Sequence, residues 1–133
     1  MNVRYLLDTN AASYAINRKG SAVDRHLAKV PMEELAISAV TEGELRYGTA
    51  RSLSQPLKST VEQFLLGVTV LSWDSEAARQ CGDLRATLER EGRVMGSLDM
   101  MIAAHALALD VILITNDRAF ARIRHLKVED WTK

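Results

Sequence analysis

A chain of 133 residues points to one domain, residues 1–133, able to bury a core without disulfides or a structural metal. Its composition, 47% hydrophobic and 26% charged with seven Gly and two Pro, excludes disorder, collagen-like repeats and low-complexity tails. Seventeen Lys and Arg balance seventeen Asp and Glu, which at face value excludes a strongly basic nucleic-acid binder. Twelve of those cations are Arg, however, the side chain best suited to bidentate phosphate contacts.

Taken in order, the chain alternates short apolar runs with helical stretches. Residues 3–7 read as a strand, followed by helices over 11–18, closed at Gly20, and over 21–30, closed before Pro31. A second strand is expected at 35–40, then helices over 42–51 and 54–66, then a third strand at 68–71. The helix over 75–91 carries a one-sided stripe of Ala77, Cys81, Leu84 and Leu88 and stops at Gly92. The helix over 98–109 is apolar almost all round, which marks it as buried. A fourth strand at 111–115, a short helix near Arg118 and a weaker strand at 126–128 complete the chain. Continuous apolar runs, rather than strict alternation, suit strands covered on both faces, so the fold class is α/β with a parallel sheet.

Cys81 is the only cysteine, so neither an internal disulfide nor a Cys-rich zinc site is available. His26, His105 and His125 form no metal-ligand spacing and read as ordinary surface or core residues. No signal peptide or membrane-spanning run is expected, and the chain reads as cytoplasmic.

Four acids occupy telling places. Asp8 follows the first strand and Asp117 the fourth, at the carboxyl edge where open α/β sheets bind ligands. Glu44 lies one turn into the helix after the second strand, and Asp99 opens the buried helix. Each has a purely structural role open to it. Thr41 and Glu44 have capping-box spacing, and Ser97 suits an N-cap with Asp99 at the positive end of the helix dipole. Asp117 suits a cap for the helix near Arg118, and Asp8 suits an Asx-turn. Against this, Asp99 shares a helical face with Ile102, Ala103 and Ala106, and carboxylates on apolar faces need a partner or a metal. Capping also does not explain four acids at one sheet edge. Oxygen-only ligands select a hard ion, Mg²⁺ or Mn²⁺, ahead of zinc. Thr9, Asn10, Ser38, Thr41, Thr115 and Asn116 are short polar neighbours suited to orienting the acids or bound waters.

Leu7-Asp8-Thr9-Asn10 resembles the first motif of PIN-domain nucleases. So do Ser38-Ala39-Val40-Thr41-Glu42-Gly43-Glu44-Leu45-Arg46-Tyr47-Gly48 and Asp99-Met100-Met101-Ile102-Ala103-Ala104-His105-Ala106. The C-terminal resemblance is Thr115-Asn116-Asp117-Arg118-Ala119-Phe120, followed by Leu126-Lys127-Val128-Glu129-Asp130-Trp131. In order, spacing and length the whole chain is similar to the VapC-type toxins of bacterial toxin–antitoxin pairs. The departures are Ala11 and Ala12 after the first motif, and Arg124-His125 where a Gly often precedes the final Leu.

The resemblance implies a PIN-like fold with a five-stranded parallel sheet flanked by helices. It also implies a metal-dependent endoribonuclease leaving a 3′-hydroxyl and a 5′-phosphate, with tRNA the first substrate to test. Its acidic positions map onto Asp8, Glu44, Asp99 and Asp117, with Glu42 the rival of Glu44. Asp8, Asp99 and Asp117 are expected to hold Mg²⁺, or Mn²⁺ in its place, and Glu44 to bind directly or through water. RNA is expected on Arg46, Arg85, Arg93 and Arg118, with Arg18, Lys19, Arg90, Arg122 and Arg124 as further candidates around the acids. Tyr47 and Trp73 are candidates for base stacking, with the core the stronger claimant. A homodimer and a VapB-like antitoxin are the implied protein partners. Met32, Leu53, Phe64 and Leu65 are candidates for the antitoxin groove, with core packing the stronger reading.

The competing reading is a Mg²⁺-dependent phosphoryl-transfer or receiver-like domain, with Asp74 near the required phosphoacceptor position. Asp8 lacks the acidic neighbour such a domain needs. With four acids set aside for one site, thirteen remain against seventeen cations, so the zero net charge is compatible with an RNA partner.

Overall fold

The computed structural model describes residues 2–133. Along the chain it runs β1 (Tyr5–Leu7), α1 (Thr9–Asn17), α2 (Ala22–Leu27), a 3-10 turn (Met32–Glu34), β2 (Leu35–Ser38), α3 (Ala39–Ser52) and α4 (Gln55–Gly67). It continues with β3 (Thr69–Leu71), α5 (Ser75–Arg90), α6 (Ser97–Leu109), β4 (Ile112–Ile114), α7 (Arg118–Ala121) and β5 (Lys127–Glu129). The five strands form one sheet in the order β3-β2-β1-β4-β5, with every pairing parallel.

Register follows from the period of two in each strand. Leu6 lies level with Ala36 and Leu113, and Leu7 with Ile37 and Ile114. The first row packs with Leu84 and Leu88 of α5, Ile102, Ala103 and Ala106 of α6, and Phe120 of α7. The second row faces the opposite way, onto Ala12 and Ile16 of α1, Val23 of α2, Leu45 of α3 and Val61 of α4. With helices on both faces, both rows must be apolar, which is why the strands read as continuous runs. Each fully buried Leu or Ile contributes about 1.5–3 kcal/mol relative to exposure. The all-apolar helix is buried as its sequence requires, with Ile102 through Ala106 at most 2% exposed.

The chain terminus is held by Trp131, which is buried against Tyr5 and stacks on His26 with ring centroids 5.2 Å apart. Its indole donates to Glu129 Oε1 at 3.0 Å. This fixes the segment after β5 against β1 and α2.

Several element ends are shifted from expectation, and two of the shifts bear on Glu44 and Asp99. The second strand stops at Ser38, not at residue 40, because the Ser38 hydroxyl accepts from the Val40 amide and caps α3. The Thr41–Glu44 capping box therefore does not form. Both residues already lie inside the helix, which frees Glu44 to face elsewhere. Likewise Ser97 is the first residue of α6 and not its cap: Gly96 takes that place without a side-chain bond, its carbonyl accepting from Met100.

Leu53, read as a core candidate, is 84% exposed and ends α3 in the left-handed region at φ 59°. Met32 is also exposed, whereas Phe64 and Leu65 pack on the core. An L side chain at positive φ costs about 1–2 kcal/mol, part of which the looser unfolded chain of a Gly variant returns. Leu53→Gly is therefore expected to stabilise the protein by about 0.5–1 kcal/mol. Urea denaturation should show a raised midpoint with an unchanged slope.

Candidate active site

The four acids come from four elements and converge at the carboxyl edge of the sheet. Asp8 ends β1 and caps α1, its Oδ1 accepting from the Ala11 amide at 2.8 Å. Only 4% of it is exposed. Asp117 follows β4 and caps α7, accepting from the Ala119 amide at 2.9 Å. Asp117 thus takes the cap role expected of it, while Asp8, expected in an Asx-turn, caps a helix that starts at Thr9; each cap engages one carboxylate oxygen, and Thr115 also bonds Asp8. Asp99, in the first turn of α6, is half-buried and close to both Asp117 and Glu44. Glu44, on α3, accepts the Thr9 hydroxyl at 2.6 Å, which ties α3 to the start of α1.

Burial raises the Asp8 pKa above the usual carboxylate range, and the charges of Asp99 and Asp117 push the same way. The adjacent Thr115 hydroxyl and the Ala11 amide oppose this. Burial likewise raises Asp99, reinforced by Asp117 and Glu44. Among the described residues, none of the four acids has a Lys or Arg partner within ion-pair distance. The site is an accumulation of negative charge that the chain itself does not neutralise.

The short polar residues divide. The Thr9 hydroxyl bonds Glu44 and lies 3.2 Å from that of the fully buried Thr41. Thr115 accepts from the Asp117 amide at 3.0 Å and sits beside Asp8. Ser38 turns instead to His105, whose Nδ1 is 2.9 Å from Oγ. Asn10 and Asn116 are exposed at the edge. Glu42 pairs with Arg46 at 2.9 Å, so Glu44 is the acid of this pair that reaches the other carboxylates.

Of the four cations first in line for RNA, Arg118 is the one beside a site acid, lining with Asp117 a cleft of about 390 Å³. Arg46 is taken up by Glu42 and Glu62, Arg85 by Glu89, and Arg93 by Glu91 and the Arg122 carbonyl. Trp73 donates to the Met101 carbonyl at 2.9 Å and is thus a structural residue, whereas Tyr47 is 65% exposed. Asp74, the acid a receiver-like site would use, caps α5 by accepting from Ala77. The residue whose part the sequence did not reveal is His105. It is 2% exposed, its pKa is lowered by burial, and it backs the serine that caps the helix of Glu44. A lone His inside an apolar helix carries no signal of such a contact.

Among the described residues, no three His, Cys, Asp or Glu side chains form a cage that holds an ion on protein atoms alone. The donor set is nevertheless all oxygen and unneutralised. That matches a hard cation retaining several of its waters, and does not match zinc.

Known proteins share this chain's sequence pattern and fold. The PIN domain family model matches residues 5–126. The chain is 36% identical to the tRNA(fMet)-specific endonuclease VapC of Shigella flexneri, covering 98% of this chain and 99% of that one. Its fold superposes on DNA-bound VapBC from Salmonella typhimurium with a TM-score of 0.91, at 35% identity, over 97% of this chain and 98% of that one. VapBC2 of Rickettsia felis, bound to a DNA fragment from its promoter, gives a TM-score of 0.88 at 31% identity, covering 97% and 99%.

The raised pKa values carry a sign for stability. Folded Asp8 and Asp99 hold protons that the unfolded chain releases, so stability is lost as pH rises from the ordinary Asp value through the raised ones. Asp8→Asn, which still offers an acceptor to Ala11, is expected to raise the melting temperature of metal-free protein at pH 7. The gain should shrink towards pH 4, as thermal melts in EDTA at both pH values will show. With its carboxyl edge built in this way and its length matched end to end by such relatives, the chain belongs to the PIN-domain family and, within it, to the VapC proteins.

Proposed function

We propose that this protein is the toxin of a type II toxin–antitoxin pair, a divalent-metal-dependent endoribonuclease that hydrolyses RNA phosphodiester bonds. The observation that carries this reading is the set Asp8, Glu44, Asp99 and Asp117, gathered at one sheet edge without a cationic partner. Asp8, Asp99 and Asp117 are the ligands assigned to Mg²⁺ or Mn²⁺, with Glu44 bound directly or through water. When bound, the ion supplies positive charge against the scissile phosphate and acidifies the water it holds.

The chain's own groups do the rest. Asp8, rigid because it also caps α1, sets the position of the site relative to the sheet. Thr9 holds Glu44 by its hydroxyl, and Thr115 supports both Asp8 and Asp117. Arg118, which lines the same cleft as Asp117, is the cation assigned to a phosphate near the scissile one. tRNA is the favoured substrate, since relatives at 36% and 35% identity are named tRNA(fMet)-specific endonucleases. A VapB-like antitoxin and a second copy of the chain are the protein partners this reading requires. Tyr47 of α3, Leu53 just beyond it and Leu66 of α4 are exposed large side chains available to a partner. No helix among the described residues is long and apolar enough to cross a membrane, and the place of action assigned is the cytoplasm.

Incubation with total RNA in Mg²⁺ or EDTA, followed by end mapping, tests the activity. Cleavage is expected only with Mg²⁺, leaving 5′-phosphate ends, and its absence from every RNA would overturn the reading. Asp8→Asn and Asp99→Asn are each expected to reduce cleavage at least a hundredfold while the circular dichroism spectrum is retained. Full activity in either variant removes that residue from the site. Mg²⁺ should raise the melting temperature of the wild type in a concentration-dependent way, and much less that of Asp8→Asn.

A further inference from the structure

The arginines are not spread evenly once their partners are assigned. Five of the twelve pair with carboxylates: Arg4, Arg46, Arg79, Arg85 and Arg93. Arg18 and Arg51 lie over Tyr14 and Tyr47, and Arg25 donates to the Gly20 carbonyl. The remaining four among the described residues, Arg90, Arg118, Arg122 and Arg124, have no carboxylate partner, Arg90 donating only to the Thr87 hydroxyl at 3.3 Å; all are exposed and lie on α7, just beyond it or at the end of α5.

Arg90, Arg122 and Arg124 line a cleft of about 720 Å³ between α5, the end of α6 and residues 122–125. It shares no residue with the cleft at Asp117, and α7 lies between the two. Arg118 and Ala121 line one, and Arg122 lines the other. Arg93 joins the walls by donating to the Arg122 carbonyl at 3.1 Å. Three acids also line the cleft. Glu91 is engaged by Arg93, and Asp110 by Lys127 at 3.0 Å, which leaves Asp83. His125, on the same wall, keeps its side chain at φ 69°, a backbone region that disfavours any residue with a Cβ.

We propose that this cleft is a second RNA-backbone site, in which Arg90, Arg122 and Arg124 hold phosphates of the strand whose scissile bond lies at the carboxylates. The proposal rests on the nuclease reading and extends it to how the RNA is held. A four-residue helix is about 6 Å long, so a strand leaving the acids past Arg118 reaches the cleft within a few nucleotides. Exposed guanidiniums with no carboxylate partner hold a single phosphate weakly, but several in a row hold a polyanion through counterion release. This also redistributes the basic residues expected around the acids: Arg118 stays there, and the others serve a separate surface.

The test is a triple variant, Arg90→Ala with Arg122→Ala and Arg124→Ala, beside the corresponding triple Lys variant. Fluorescence anisotropy with labelled tRNA in EDTA, over a salt series, reads the cleft without turnover. The slope of log K against log[salt] is expected to fall by about 2 in the Ala variant and to recover in the Lys variant, at about 0.7 for each single-strand phosphate contact. With Mg²⁺, the Ala variant should lose at least tenfold in kcat/KM on tRNA, mainly through KM. The loss should be smaller on an oligonucleotide too short to leave the carboxylates. An unchanged slope and KM would overturn the proposal. So would a variant that keeps its RNA affinity but no longer binds an acidic antitoxin peptide, because the cleft is then a protein site. A wild type that cleaves no RNA defeats the nuclease reading alone, since the salt slope in EDTA still decides the cleft.

Discussion

Like charges held close together must be neutralised, and in this protein the fold holds four carboxylates at one edge without neutralising them. Asp8 shows how. Its backbone ends the central strand, one carboxylate oxygen caps α1, and burial takes the group out of water. It cannot move away from Asp99 and Asp117 without uncapping a helix and breaking the end of a strand. The repulsion is therefore built into the architecture, and the divalent cation of the proposed function would relieve it. Stability forgone in the metal-free chain would become affinity for the proposed ion.

The sheet order explains why these particular elements supply the acids. β1 lies at the centre, between β2 and β4, so the residues following these three strands emerge side by side. Asp8 directly follows β1, Asp117 follows β4 after two residues, and Ser38 ends β2 and caps the helix of Glu44. α6 brings Asp99 to the same edge, and its apolar surface needs burial on nearly every side. A helix with no polar face has one place to go, under the sheet, and its first turn is then delivered to the carboxylates. β3 lies at the sheet margin, which is why Asp74 caps a helix away from the cluster.

The cations obey a different rule. Arg side chains are long, exposed and indifferent to which carboxylate neutralises them, so their availability depends on which acids lie within reach. Arg46 and Arg85 find acids four residues away on their own helices. Arg118, Arg122 and Arg124 lie on a short helix and a turn whose neighbouring acid, Asp117, is turned to capping α7, and among the described residues they form no ion pair. The formal zero net charge thus divides into an acidic edge and an Arg-rich flank on either side of α7.

Several features followed from the sequence alone: the α/β alternation, the buried apolar helix, and the identity of the four acids. All of these depend on residue type and on neighbours within one helical turn or one strand, where periodicity is informative. Other features were decided only in three dimensions. Val40 looked like the end of a strand and lies in a helix, because the Ser38 hydroxyl captures its amide. Glu44 matched a capping box and instead meets Thr9, thirty-five residues away. The partners of His105 and Arg93 lie at separations of 67 and 29 residues. Such contacts leave no trace in local pattern, because they depend on where other elements are carried when both faces of the sheet are covered. Which residues could bear chemistry was a matter of composition and position in the chain. Which of them lie together, and which arginines lack an ion pair among the described residues, was a matter of packing.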